Sequence, residues 1–156
     1  MLIILLCLTI SVTLCTSCDK GFFQYGDSCY IILPETGTWL TAMEYCKAFG
    51  MSLTIVQSAD ENKFLKDYLY THRGTYTSAP DFWTAGTHLM STEWAWAGTD
   101  EEIEMFFWGP GEPNNVGSTE RCLSFYANAN FTWDDEHCTY PGYPLCEKQL
   151  QVYPGK

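Results

Sequence analysis

The sequence predicts an α+β domain in which a large loop leaves a small sheet. Three observations carry this reading. Helix signals are confined to the first half, short aromatic strand-like runs gather in the second, and a long aperiodic segment interrupts them.

Met1 to Ser17 contain no charged residue and are mostly Leu, Ile, Val, Thr and Cys. An apolar run this short, ending in small residues, reads as a secretory signal peptide rather than a membrane span, although it lacks the usual basic start. The expected domain therefore runs from Cys18 to Lys156, in the extracellular space, with residues 1–17 removed. No other stretch is apolar enough to span a bilayer, so no membrane insertion is expected.

From Cys18 onward the elements follow in order. Gly21 to Gln24 and Ser28 to Leu33 look like strands around a Tyr25-Gly26-Asp27 turn. Thr38 can cap a helix to about Phe49, with Gly50 as its stop and Ala42, Cys46 and Phe49 on one inward face. Ser58-Ala59-Asp60-Glu61 is a capping box that opens a second helix, ending near Tyr70, whose apolar face holds Phe64, Leu65, Tyr68 and Leu69. Phe82 to Gly86 and Trp94 to Gly98 read as short aromatic strands. Thr99 to Thr119, rich in Gly, Pro, Asn and acids, has no periodicity, and irregular segments of that length inside a compact domain are usually functional or mobile. Cys122 to Tyr126, Phe131 to Asp134 and Tyr143 to Lys148 complete the strands.

The chain carries 19 acids against 8 bases, a net charge of -11. That balance argues against nucleic acid and anionic membranes as partners, since both require basic patches. Six cysteines lie beyond the signal peptide, at 18, 29, 46, 122, 138 and 146, and an even number in an oxidising compartment implies three disulfides of open connectivity. Structural zinc is the poorer reading, because there is no Cys-x-x-Cys pair and the histidines are scattered.

The long loop contains Trp108-Gly109-Pro110-Gly111-Glu112-Pro113-Asn114-Asn115, followed by Glu120-Arg121-Cys122 and then Trp133-Asp134-Asp135. Carboxylates and amides from separated positions suit calcium, which takes six to eight oxygens, better than magnesium with its tight octahedron. No EF-hand spacing is present. Paired carboxylates can also hydrolyse glycosides, but they must then face one another across a substrate cleft, free of metal. No nucleophile triad, phosphate loop or cofactor fingerprint accompanies them, so no enzymatic activity is expected.

At these residues the chain resembles the C-type lectin domain family, in its long form. Glu112-Pro113-Asn114 matches the loop motif of mannose-type members and Trp133-Asp134-Asp135 the Trp-Asn-Asp motif of the adjacent strand. Phe82-Trp83-Thr84-Ala85-Gly86 stands at the aromatic core strand. The resemblance implies a C-type lectin fold of two helices and small antiparallel sheets. It also implies disulfides Cys18–Cys29, Cys46–Cys146 and Cys122–Cys138. It further implies that Glu112, Asn114, Glu120, Asp134 and Asp135 hold Ca2+, with a cis bond before Pro113. The first four of these would also bind the vicinal hydroxyls of a mannose, glucose or N-acetylglucosamine unit. Asp134 departs from the family's asparagine and offers only acceptors. Asn115 replaces an aspartate that serves an auxiliary calcium, which argues against a second ion.

The function so implied is that of a secreted single-domain lectin, similar to those of invertebrates, recognising microbial or host glycans in innate immunity. The alternative is an extracellular protein-binding or mineral- or ice-associated module on the same fold. Weak single-site affinity makes a homodimer useful, and with no coiled coil or spare cysteine it must use a folded surface. Trp83, Trp108 and Trp133 read as core residues, with Trp94 and Trp96 packing beside them, and His137 as a surface histidine. Asn130-Phe131-Thr132 is an N-glycosylation sequon just before the binding strand, where a glycan would crowd the site.

Overall fold

A computed structural model of the chain describes residues 17–99 and 101–150. The expected signal peptide, except Ser17, lies outside them.

Phe23–Tyr25 (β1) and Ser28–Ile32 (β2) pair antiparallel across a two-residue turn at Gly26-Asp27. Thr38 then caps Trp39–Ala48 (α1), its hydroxyl oxygen accepting the Thr41 amide at 3.2 Å. Trp39, Ala42 and Cys46 are buried at helical spacing, and the Trp39 indole N–H donates to the Thr84 carbonyl at 2.8 Å. Phe49, expected on this inner face, is instead 68% exposed. The helix has ended at its position (φ -101°), so the helical rotation that would have turned the ring inward is lost.

Ala59–His72 (α2) opens with the Ser58 hydroxyl accepting the Glu61 amide at 3.1 Å. Glu61 reaches back to the Gln57 amide at 2.7 Å, one residue before the position of a capping box, and its other oxygen accepts the Tyr30 hydroxyl. Its burial is thereby fully partnered. The helix runs two residues past the expected Tyr70. Leu65 and Leu69 are fully buried, while Phe64 and Tyr68 are half-buried against the Phe23 ring.

The remaining strands are Ser52–Leu53 (β3), Asp81–Thr87 (β4), Ala95–Trp96 (β5), Glu101–Glu102 (β6), Glu120–Tyr126 (β7), Thr132–His137 (β8) and Gly142–Gln149 (β9). β9 is antiparallel to β2 and β3 and parallel to β4, so it joins the two halves of the sheet. β4 also pairs with β5 and β7, and all seven of its residues are buried, the polar Asp81, Thr84 and Thr87 included. β8 pairs with β7 alone among the named strands and is therefore an edge.

Cys18 pairs with Cys29, Cys46 with Cys146 and Cys122 with Cys138. The second bridge ties α1 to β9 and the third holds the end of the β7–β8 hairpin. The core lies between α1, α2 and the sheet, with Trp83, Trp133, Phe82 and Phe125 among its largest fully buried side chains.

Candidate functional site

The long loop reaches the sheet by pairing along the free edge of β8. The Gly109 amide donates to the Trp133 carbonyl at 2.8 Å, and the Trp133 amide donates to the Phe107 carbonyl at 3.1 Å. This is a short parallel bridge between Trp108 and Trp133. A side chain at position 109 would stand 2.6 Å from the Thr132 hydroxyl, so anything larger than glycine forces Thr132 or the loop to shift. From there Gly111 turns the chain through a φ of 95°, and the Glu112–Pro113 bond is cis, as the resemblance implied.

The loop then closes over Asp135, which is buried. Its two carboxylate oxygens accept the amides of Asn114 at 2.8 Å and Asn115 at 2.9 Å. The Asn114 side-chain amide donates to Glu112, and its oxygen accepts the Val116 amide at 3.0 Å. The same Val116 amide donates to the Glu120 carboxylate at 2.6 Å, and the Asn115 side-chain oxygen accepts the Glu120 amide at 3.3 Å. Asn115 itself sits in the left-handed region, at φ 44°, a conformation asparagine tolerates.

Glu112, Asp134 and Asp135 converge, with one oxygen of each within 4.8 Å of the others. Glu120 is not in that acid group, and is held one step away through Val116 beside Asn114. Among the described residues no lysine or arginine forms an ion pair with the three acids. Burial and the adjacent Glu112 carboxylate push Asp134 up to about 8. Burial, together with the Asp135 charge, also raises Glu112. Ligands about 2.4 Å from one calcium ion cannot be more than about 5 Å apart, so this spacing suits a shared divalent cation. A cation would also offset the burial, and the lesser charge repulsion, that raise the two carboxyls. The donor set fits calcium.

Behind the first lies a second acid group that was not foreseen. Asp81, at the start of β4, is 2% exposed and accepts the Ser124 hydroxyl at 2.7 Å. One oxygen each of Asp81, Asp134 and Glu136 lies within 4.8 Å of the others. Burial, with the Glu136 charge adding, pushes Asp81 up to about 7 against the opposing hydrogen bond from Ser124. The i, i+2 spacing of Asp134 and Glu136 on one strand was the available signal. Asp81, adjoining an apolar run, offered none.

Other residues fall as follows. Trp83 and Trp133 are fully buried and Trp96 nearly so, whereas Trp108 and Trp94 are half-buried in contact with each other at 5.2 Å. His137 is half-buried, stacked on Tyr140, with its ring nitrogen on the Thr139 hydroxyl. His88 binds the Glu120 carbonyl at 3.0 Å and so braces the base of β7. No described helix is long and apolar enough to cross a membrane.

Comparison with known proteins agrees with this architecture. Residues 35–148 match the Lectin C-type domain family. The chain is 31% identical over 138 residues to perlucin of Haliotis laevigata, covering 87% of this chain and 86% of perlucin. It spans 62%, 33% and 60% of the next three relatives, which are longer chains. The fold is also that of the C-type carbohydrate-recognition domain of cow CD23, whose crystal structure was determined in the presence of GlcNAc2Man3 oligosaccharide. That match has a TM-score of 0.73 at 21% identity and covers 88% of this chain and 100% of that one. Herring type II antifreeze protein shares it too, with a TM-score of 0.69 at 25% identity, covering 86% and 100%. By its matched domain, its likeness to perlucin and its fold, the chain belongs to the C-type lectin domain family.

Proposed function

We propose that this chain is a secreted, calcium-dependent lectin that binds glycans bearing mannose, glucose or N-acetylglucosamine, in innate recognition of microbial or host glycoconjugates. The observation that carries the reading is the convergence of Glu112, Asp134 and Asp135 at the edge of β8. In this reading Glu112, Asn114, Glu120, Asp134 and Asp135 hold the ion. Calcium would supply open coordination positions for two vicinal hydroxyls. Glu112 and Asn114 now hydrogen-bond one another, so an acceptor and a donor already lie side by side at the mouth of the site. This is a binding site and not a catalytic one. A single shallow site binds weakly, and a homodimer through a folded surface would supply avidity.

Binding of the purified protein to immobilised mannan, with and without EDTA, tests this directly. Binding should vanish on chelation and return with added calcium. Retention after complete chelation, checked by metal analysis, would refute the shared site.

A second reading, a mineral- or ice-associated module without sugar binding, draws support from the antifreeze fold match. It expects thermal hysteresis or mineral adsorption and no mannan binding in calcium.

A further inference from the structure

Asn130-Phe131-Thr132 is the only Asn-x-Ser/Thr triplet in the chain, and Phe131 is compatible with modification. Its placement supplies what the motif alone lacks. Asn130 sits at the tip of the β7–β8 hairpin, exposed, in the left-handed region at φ 55°. Its backbone amide closes the turn onto the Ala127 carbonyl at 3.3 Å, but among the described residues nothing hydrogen-bonds its side-chain amide. The neighbouring Asn128, by contrast, spends its amide on the Tyr126 hydroxyl.

The other two residues of the triplet are locked. Phe131 is 1% exposed and packs edge-on against Phe82 and Tyr70. The Thr132 hydroxyl donates to the Ala129 carbonyl at 2.9 Å. A transferase must therefore read the triplet before the hairpin closes, and folding then leaves the asparagine side chain exposed, Phe131 buried and Thr132 half-buried. Beside it lies an open depression of about 650 Å³, walled by Tyr70, Arg73, Tyr76, Pro80 and Asn128. None of its walls is a residue of the loop site. The Arg73 guanidinium lies 4.2 Å over the Tyr70 ring, giving a polar and aromatic surface on which sugar rings can rest.

We propose that Asn130 carries an N-linked glycan whose first sugars lie in this depression, at the end of α2, and leave the loop site open. This rests on the proposed secretion of the chain but not on its sugar binding. It replaces the expectation that a glycan here would crowd the site.

The full chain is produced in a eukaryotic secretory host and the secreted protein is measured by intact mass before and after peptide N-glycosidase. The expected result is one glycan, whose removal leaves an aspartate at position 130, and none on Asn130→Asp, which keeps a residue tolerant of this turn. A secreted wild type with the mass of the bare polypeptide overturns the site. For the placement, iodination of Tyr70, read by peptide mass, should rise severalfold once the enzyme has removed the glycan. Unchanged iodination overturns the placement. Where mannan is bound, its affinity should change by less than about twofold on deglycosylation. A larger change would mean that the glycan reaches the loop site. A protein that binds no mannan fails the lectin reading, while the mass and the iodination still decide this one.

Discussion

Asp135, on the edge strand, holds the loop residue Asn114 by its backbone, accepting the amide at 2.8 Å through one carboxylate oxygen. The other oxygen takes the next amide in the chain. Asp135 is thus the clasp of the loop as well as a proposed ligand, whereas Asp134 beside it makes no such tie. Substituting the two should have different consequences.

Asp135→Asn leaves one oxygen and turns an amide group toward a backbone donor inside a buried site. The unsatisfied donor costs about 1–3 kcal/mol, and the fragment from Asn114 to Val116 should lose order. Thermal unfolding in EDTA, where no calcium effect contributes, reads this. A melting point unchanged from wild type would mean that the clasp contributes nothing.

Gly109→Ala touches no proposed ligand, yet its methyl would meet Thr132 at 2.6 Å. Because the Thr132 hydroxyl is held by the Ala129 carbonyl at 2.9 Å, the loop is expected to give way and move off the edge of β8, taking Glu112 away from Asp134. Calcium affinity, measured by calorimetry, should fall at least tenfold while the rest of the fold persists by circular dichroism. Wild-type affinity would show that the bridge at Trp133 does not position the site.

In chelator, stability should decline as pH rises. Asp81 and Asp134 titrate near 7 and 8 in the folded protein, above the ordinary aspartate value of 3.8. The folded state then binds more protons than the unfolded one across that window, so stability falls from about pH 4 to pH 8. Below about pH 4 both groups are protonated in either state and their contribution is flat. Asp81→Asn should flatten the slope, and saturating calcium should remove the share due to Asp134. Melting points that rise between pH 5 and pH 8 in EDTA would contradict the sign.

Exchanging the acceptor and donor at the mouth of the site, by Glu112→Gln with Asn114→Asp, should move preference from mannose toward galactose. Competition of free monosaccharides against mannan at saturating calcium measures this. A wild type that already prefers galactose would invalidate the assignment.

Much of this was legible in the residues, and the failures have physical causes. Thr38 and Ser58 announced both helices because a cap is a local hydrogen bond that three or four residues define. The long loop announced itself by composition. Phe49 misled because periodicity cannot see where a helix stops. β3 was invisible because Ser52 and Leu53 form a strand only by lying against Cys146 and Glu147. Asp81 was missed because its partners, Ser124, Asp134 and Glu136, are more than forty positions away and meet it only across the sheet.

The bridge between Cys46 and Cys146 has a consequence for protease attack. It spans 100 positions and encloses the entire long loop, much of which is exposed. A protease that cuts between Thr99 and Thr119 therefore releases nothing, because both halves stay covalently joined. The cut molecule should run as one species until reduced, and its halves remain free to keep their strands paired.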